Sequence, residues 1–134
     1  MVDWYGHWSD ENQMARILFV DDDPLTLQTL KKSVELFGHQ AILAHSGAEA
    51  LAQAIEQSPD LVLVDMSLPD MNGLALIQRF QQEQLLKDIP LIMLSASPEL
   101  DARQLAISAG AREFLSKPVR LQALQQLIQR YTGG

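Results

Sequence analysis

Leu61-Val62-Leu63-Val64-Asp65 is the stretch on which the fold turns. Its four apolar residues, two of them β-branched, are too few for a helix. They also lack the polar alternation of a strand with one wet face, so they describe a strand covered on both sides, as in a parallel sheet. The turn Ser58-Pro59-Asp60 precedes the run and a carboxylate ends it. The same unit recurs in both directions. Ile17-Leu18-Phe19-Val20 runs into Asp21-Asp22-Asp23, and Pro90-Leu91-Ile92-Met93-Leu94 runs into Ser95. Weaker runs occupy Ala41 to Ala44 and Glu113-Phe114-Leu115, the latter meeting Lys117-Pro118.

Helical periodicity fills the gaps. Asp23 is a plausible N-cap with Pro24 in the first turn, Leu27, Leu30, Val34 and Phe37 mark a buried face, and Gly38 offers a stop. Ser46-Gly47-Ala48-Glu49 has the form of a capping box, and the face expected after it is Ala48, Leu51, Ala52 and Ile55. The turn-rich loop Leu68-Pro69-Asp70-Met71-Asn72-Gly73 leads to Leu74, Ile77 and Phe80. Ser97-Pro98 resembles a helix start that Gly110 closes, and Leu124, Leu127, Ile128 and Tyr131 form the last face, ended by Gly133-Gly134. Five strand-helix pairs in alternation predict an α/β fold with a parallel sheet.

The chain of 134 residues suits one domain, with 47% hydrophobic and 20% charged residues giving a globular balance. We assign residues 1–15 to an N-terminal extension, expected to be flexible, 16–131 to the domain and 132–134 to a tail. Trp4, Tyr5 and Trp8 fall in the extension; Trp4 and Trp8 are residues through which it could dock on this domain or on a partner. Cysteine is absent, which excludes disulfides, thiolate metal sites and thiol nucleophiles. A formal charge of −7 argues against direct nucleic-acid binding. With neither a signal peptide nor an apolar run of about 18 residues, no membrane segment is expected, and a cytoplasmic location follows as the expectation.

The polar residues at the strand ends carry the chemistry. Asp21, Asp22, Asp65, Ser95 and Lys117 each follow an apolar strand, and in a parallel sheet those ends share one edge, where open α/β sheets bind their ligands. Three carboxylates gathered there repel one another, and a cation relieves the repulsion; an all-oxygen set suits Mg²⁺, or Mn²⁺ in its place, better than zinc. A carboxylate beside such a cation can attack phosphorus, with Lys117 binding a phosphoryl oxygen and Ser95 donating a hydrogen bond to another. Asp23 and Asp70 are read as cap and turn residues, and His7, His39 and His45, which show no ligand spacing, as surface or loop residues.

Four strings, ILFVDDDP at 17–24, LVLVDMSLPDMNG at 61–73, LIMLSAS at 91–97 and FLSKP at 114–118, together resemble the receiver domain of bacterial two-component response regulators. The resemblance covers Arg16 to about Tyr131. It implies a (βα)₅ doubly wound, flavodoxin-like sheet in the order 2-1-3-4-5. It further implies Asp65 as phosphoacceptor, Asp22 as direct metal ligand, Asp21 as a ligand directly or through water, and the backbone carbonyl of Ser67 as a main-chain ligand. Ser95 and Phe114 match the switch pair, Lys117 the phosphoryl-binding lysine, and Pro118 a proline that often follows a cis bond.

The implied function is a phosphorelay switch that assists its own phosphorylation and dephosphorylation without being an enzyme. It would take a phosphoryl group from a histidine kinase or histidine phosphotransfer protein and change a face for a downstream target or a covalently linked output domain. Phosphorylation-dependent dimerisation through the last two helices is compatible with it. Two alternatives explain less. A phosphohydrolase built on Asp21-x-Asp23 leaves Asp65 and its loop without a role, and a docking module without phosphorylation would have lost a key acid or the lysine, neither of which is lost here.

Overall fold

The computed structural model describes residues 14–96 and 100–133. Its elements alternate as β1 (Arg16–Val20), α1 (Pro24–Leu36), β2 (Gln40–Ala44), α2 (Gly47–Gln57), β3 (Leu61–Asp65), α3 (Gly73–Gln82), β4 (Leu91–Ser95), α4 (Leu100–Ala109), β5 (Glu113–Ser116) and α5 (Leu121–Thr132). The five strands make one parallel sheet in the order β2-β1-β3-β4-β5. Central β3 pairs through Val62 with both Leu18 and Leu91, and all five of its residues are buried, as its unbroken apolarity requires.

The pleat sends alternate side chains to opposite faces. Ala15, Ile17, Phe19, Leu61, Leu63, Ile92 and Leu94 meet α1 and α5 through Leu27, Leu30, Val34, Leu124, Leu127 and Ile128. Leu18, Val20, Val62, Val64, Leu91 and Met93 meet α2, α3 and α4 on the other side. With helices on both faces, the sheet leaves its carboxyl edge open for chemistry. No described helix is long and apolar enough to cross a membrane.

Local signals set the helix ends. Asp23 caps α1, accepting from the Leu25 N–H (3.2 Å) and from the Thr26 hydroxyl (2.7 Å), while Gly38 takes the left-handed φ of 85° that follows the helix. Ser46 caps α2 by accepting from the Glu49 N–H (3.1 Å); the Glu49 carboxylate reaches back to the His45 N–H (3.2 Å), one residue before the cap. The expected helix start at Ser97-Pro98 lies outside the described residues, as do His7, Trp4, Tyr5 and Trp8.

Two expectations require correction. The buried face of α2 is Gly47, Ala50 and Ala54 with Leu51 half-buried, whereas Ala48, Ala52 and Ile55 are exposed. An alanine-rich helix has little contrast from which to read a phase. Close packing decides it instead: a Cβ at Gly47 would come within 2.5 Å of Met71 Sδ. His39 does sit in a loop, as expected, but it is buried; its Nδ1 accepts from the Ala15 N–H (2.9 Å) where the chain enters β1.

Candidate functional site

Parallel register brings the polar strand ends to one edge. Asp21 follows β1 and donates its N–H to the Ala44 carbonyl, Asp65 closes β3 opposite Leu94, and Ser95 closes β4 opposite Ser116. Lys117 comes one residue after β5, and its N–H donates to the Ser95 carbonyl (2.8 Å). The Lys117-Pro118 bond is cis.

Side chains from three of these positions converge. Asp21, Asp22 and Asp65 offer ligand oxygens that all lie within 4.8 Å of one another. Lys117 Nζ donates to Asp21 Oδ2 at 2.7 Å and stands 3.5 Å from Asp65 Oδ1. Asp21, only 1% exposed, is held by both oxygens, since Oδ1 accepts from the Asp23 N–H (2.9 Å). Asp22 is exposed, and Asp65 is 9% exposed at the base of the group.

The electrostatics follow from this crowding. Burial raises the Asp65 carboxyl above its ordinary range, the charge of Asp21 raises it further, Lys117 opposes both, and Asp22 adds a smaller push upward. Burial works against the Lys117 ammonium, yet the hydrogen bond to Asp21 and the charge of Asp65 outweigh it and raise the lysine. One lysine among three acids leaves a negative excess. An all-carboxylate donor set of this compactness fits a hard divalent cation, which prefers oxygen ligands.

The remaining predicted positions fall nearby or apart. Ser95 is buried at the neighbouring strand end, and Ser67 lies in the loop after β3, bridged in antiparallel fashion to Asn72. Phe114 stands apart from the carboxylates. It pairs with Met93, lies 5% exposed in the core beneath α3 and α4, and carries the Arg103 guanidinium 5.7 Å from its ring centroid.

Three residues of the loop after β3 have roles beyond the sequence reading. Asp70 accepts from the Gly47 N–H (2.8 Å) and the Ala48 N–H (2.9 Å), contacts that hold its carboxyl below the ordinary range, so it caps the neighbouring α2 as well as shaping its own turn. Asn72 caps α3 through the Ala75 N–H (2.8 Å); an Asn just before an apolar run was the available signal. Gly73 donates its N–H to the Met66 carbonyl (2.7 Å), and a Cβ there would lie 2.5 Å from the Asp65 carbonyl oxygen. Only a residue without a side chain fits so close to the strand end.

Comparison with known proteins agrees with this geometry. The family model described as response regulator receiver domain matches residues 17–129. Protein PilH of Pseudomonas aeruginosa is 32% identical over 121 residues, covering 90% of this chain and 100% of PilH. The phosphate regulon transcriptional regulatory protein PhoB of the same organism is 32% identical over 120 residues, covering 87% of this chain but 52% of PhoB, so the chain spans about half of that longer regulator. Among solved structures, a putative response regulator from Chloroflexus aurantiacus aligns with a TM-score of 0.84 at 31% identity, covering 90% of this chain and 99% of that one. The receiver domain of the sensor histidine kinase PA1611 from P. aeruginosa, solved with a magnesium ion coordinated in its active site cleft, aligns with a TM-score of 0.82 at 26% identity, covering 90% and 99%.

Proposed function

This chain belongs to the response regulator receiver domain family, whose members are phosphoacceptor signalling domains, and from that premise we propose that Asp65 is the residue that accepts the phosphoryl group. The observation that carries the assignment is the convergence of Asp21, Asp22 and Asp65 within 4.8 Å, with Lys117 Nζ 3.5 Å from Asp65. Asp65 Oδ attacks phosphorus, the new O–P bond forms as the P–N bond of a phosphohistidine donor breaks, and the electron pair leaves on the imidazole nitrogen.

Asp21, Asp22, Asp65 and the Ser67 carbonyl would hold Mg²⁺, or Mn²⁺. Bound there, the ion screens the negative charge that nucleophile and phosphoryl oxygens share. Lys117, already fixed by Asp21, supplies a positive charge to a phosphoryl oxygen, and the Ser95 hydroxyl donates to another. Because these groups are positioned before the donor arrives, little reorganisation accompanies the transfer.

The donor is a histidine kinase or a histidine phosphotransfer protein, and the setting is the cytoplasm. Residues 16–131 are the receiver unit. In the readout, Ser95 moves toward the phosphoryl group and Phe114 adjusts with it, altering the surface of α4, β5 and α5 for a target protein, a linked output domain or a second phosphorylated copy. The test is incubation of the parent and of Asp65→Asn with acetyl phosphate and Mg²⁺, followed by mass spectrometry of the intact protein. The parent should gain one base-labile phosphoryl group and the variant none; equal labelling of the two refutes the assignment.

A further inference from the structure

Asp70 is not among the three carboxylates that gather at the strand ends. It commits both oxygens to another element: Oδ1 accepts from the Gly47 N–H (2.8 Å) and Oδ2 from the Ala48 N–H (2.9 Å), the first two residues of α2. These donors are among the N–H groups that a helix leaves without an internal partner, and the positive end of the helix dipole adds to their hold on a carboxylate. Met71 lies against the same turn, since a Cβ at Gly47 would come 2.5 Å from its Sδ. The tip of the loop after β3 is therefore seated on α2.

The same loop holds Ser67, whose carbonyl is assigned above to the metal. The Gly73 N–H donates to the Met66 carbonyl (2.7 Å), which makes Ser67 and Asn72 a facing pair that does not exchange hydrogen bonds, so the Ser67 carbonyl is not spent on Asn72. That bond fixes the base of the loop, while Asp70 and Met71 fix its tip. A ligand on a half-fixed loop must be ordered when the ion binds, and that ordering entropy is subtracted from the affinity; a ligand already held avoids the loss.

We propose that Asp70 is a positioning residue for the divalent cation, keeping the Ser67 carbonyl in place by holding the loop tip on α2. The inference rests on the reading that Asp21, Asp22, Asp65 and Ser67 form the metal site. In this role Asp70 touches neither the ion nor the phosphoryl group and acts through the loop backbone. Partners that orient metal ligands from behind are worth about 10–100-fold in metal affinity, and for an exposed carboxylate the lower end applies, about tenfold. Linkage requires the same factor in reverse, so bound Mg²⁺ strengthens the hold of Asp70 on the Gly47 and Ala48 amides about tenfold.

The experiment titrates Mg²⁺ into the full chain at constant ionic strength and follows amide chemical shifts by NMR for the parent, Asp70→Ala, Asp70→Asn, Ser46→Ala and Asp65→Asn; urea unfolding gives the stability of each. Asp70→Ala should raise the Kd for Mg²⁺ about tenfold. Asp70→Asn, which loses the same charge but keeps an oxygen for one of the two amides, should fall between. Ser46→Ala removes the other side-chain cap of α2, the bond from the Glu49 N–H, and should lower stability with the Kd unchanged. In the parent, saturating Mg²⁺ should slow hydrogen exchange at the Gly47 and Ala48 amides about tenfold. Equal losses in Asp70→Asn and Asp70→Ala would mean that charge alone acts, and a loss in Ser46→Ala as large as in Asp70→Ala would mean that α2 has merely loosened. Either overturns the inference, as does an Asp70→Ala variant that binds Mg²⁺ like the parent, or exchange that Mg²⁺ leaves unchanged. Unchanged binding in Asp65→Asn refutes the metal site itself; binding lost in Asp65→Asn but kept in Asp70→Ala refutes only the role of Asp70.

Discussion

Replacing Gly73 by alanine sets two physical effects of opposite sign against each other. Gly73 opens α3 and its φ is not positive, so propensity alone predicts that Gly73→Ala stabilises the protein by about 0.5–1 kcal/mol. The contact geometry predicts the reverse. The added Cβ would sit 2.5 Å from the Asp65 carbonyl oxygen and 3.0 Å from Met66 Cα, backbone atoms that cannot rotate away as a side chain would. Forced overpacking of this kind costs about 1–3 kcal/mol, which exceeds the propensity gain over most of that range. With a mid-range cost of about 2 kcal/mol less a gain of about 0.75 kcal/mol, urea unfolding should show an unchanged m-value and a midpoint lower by about 0.6 M, taking m as about 2 kcal/mol/M. Because the strain falls on the backbone of Asp65, labelling by acetyl phosphate should also slow. A Gly73→Ala variant as stable as the parent would refute the reasoning.

Three further outcomes follow from the structure. Asp65 is raised above its ordinary value of 3.8 chiefly by burial, so its ionised form opposes folding once the pH exceeds its folded pKa, and that penalty is absent below 3.8. Asp65→Asn should accordingly raise the midpoint of thermal unfolding at neutral pH without Mg²⁺, and Mg²⁺, which stabilises the parent by mass action, should stabilise the variant less. Burial pushes Glu113 upward, but hydrogen bonds from Arg130 and Tyr131 outweigh it and hold the carboxyl below its ordinary 4.5; the stabilisation is therefore present above 4.5 and lost as pH falls through the folded pKa, so the stability gap between parent and Glu113→Gln should close in acid and stay open at pH near neutral. Asn72→Ala removes the α3 cap and should lower stability by about 1 kcal/mol in urea unfolding.

The sheet was legible because a strand buried on both faces leaves a mark that little else imitates, and β3 and β4 carry it undiluted. The acidic pocket was legible for a related reason: parallel strands place their last residues on one edge, so the sequence alone brings Asp21, Asp65 and Lys117 together, as the structure does. Contacts across elements were not. Asp70 reads as an ordinary turn residue because the amides it caps belong to Gly47 and Ala48, more than twenty positions earlier. The face of α2 escaped because Ala48, Ala50, Ala52 and Ala54 are equally apolar, and the close approach of Met71 to Gly47 leaves no mark in the sequence. His39 falls in a loop as read, but its burial escaped, because a single imidazole gives no hint that the Ala15 amide will need an acceptor. The roles of Ser67 and Phe114 rest on family resemblance, since neither an apolar pattern nor a local cap identifies them.

The loop from Met66 to Gly73 is closed at its neck by the Gly73 to Met66 hydrogen bond and the Ser67 to Asn72 bridge, and moored at Asp70 to the first turn of α2. A strap fastened at both ends has little slack in which to absorb a push. The backbone that follows Asp65 is thereby tied to the first turns of both α2 and α3, so the floor of the pocket and the flank of the domain share one set of hydrogen bonds.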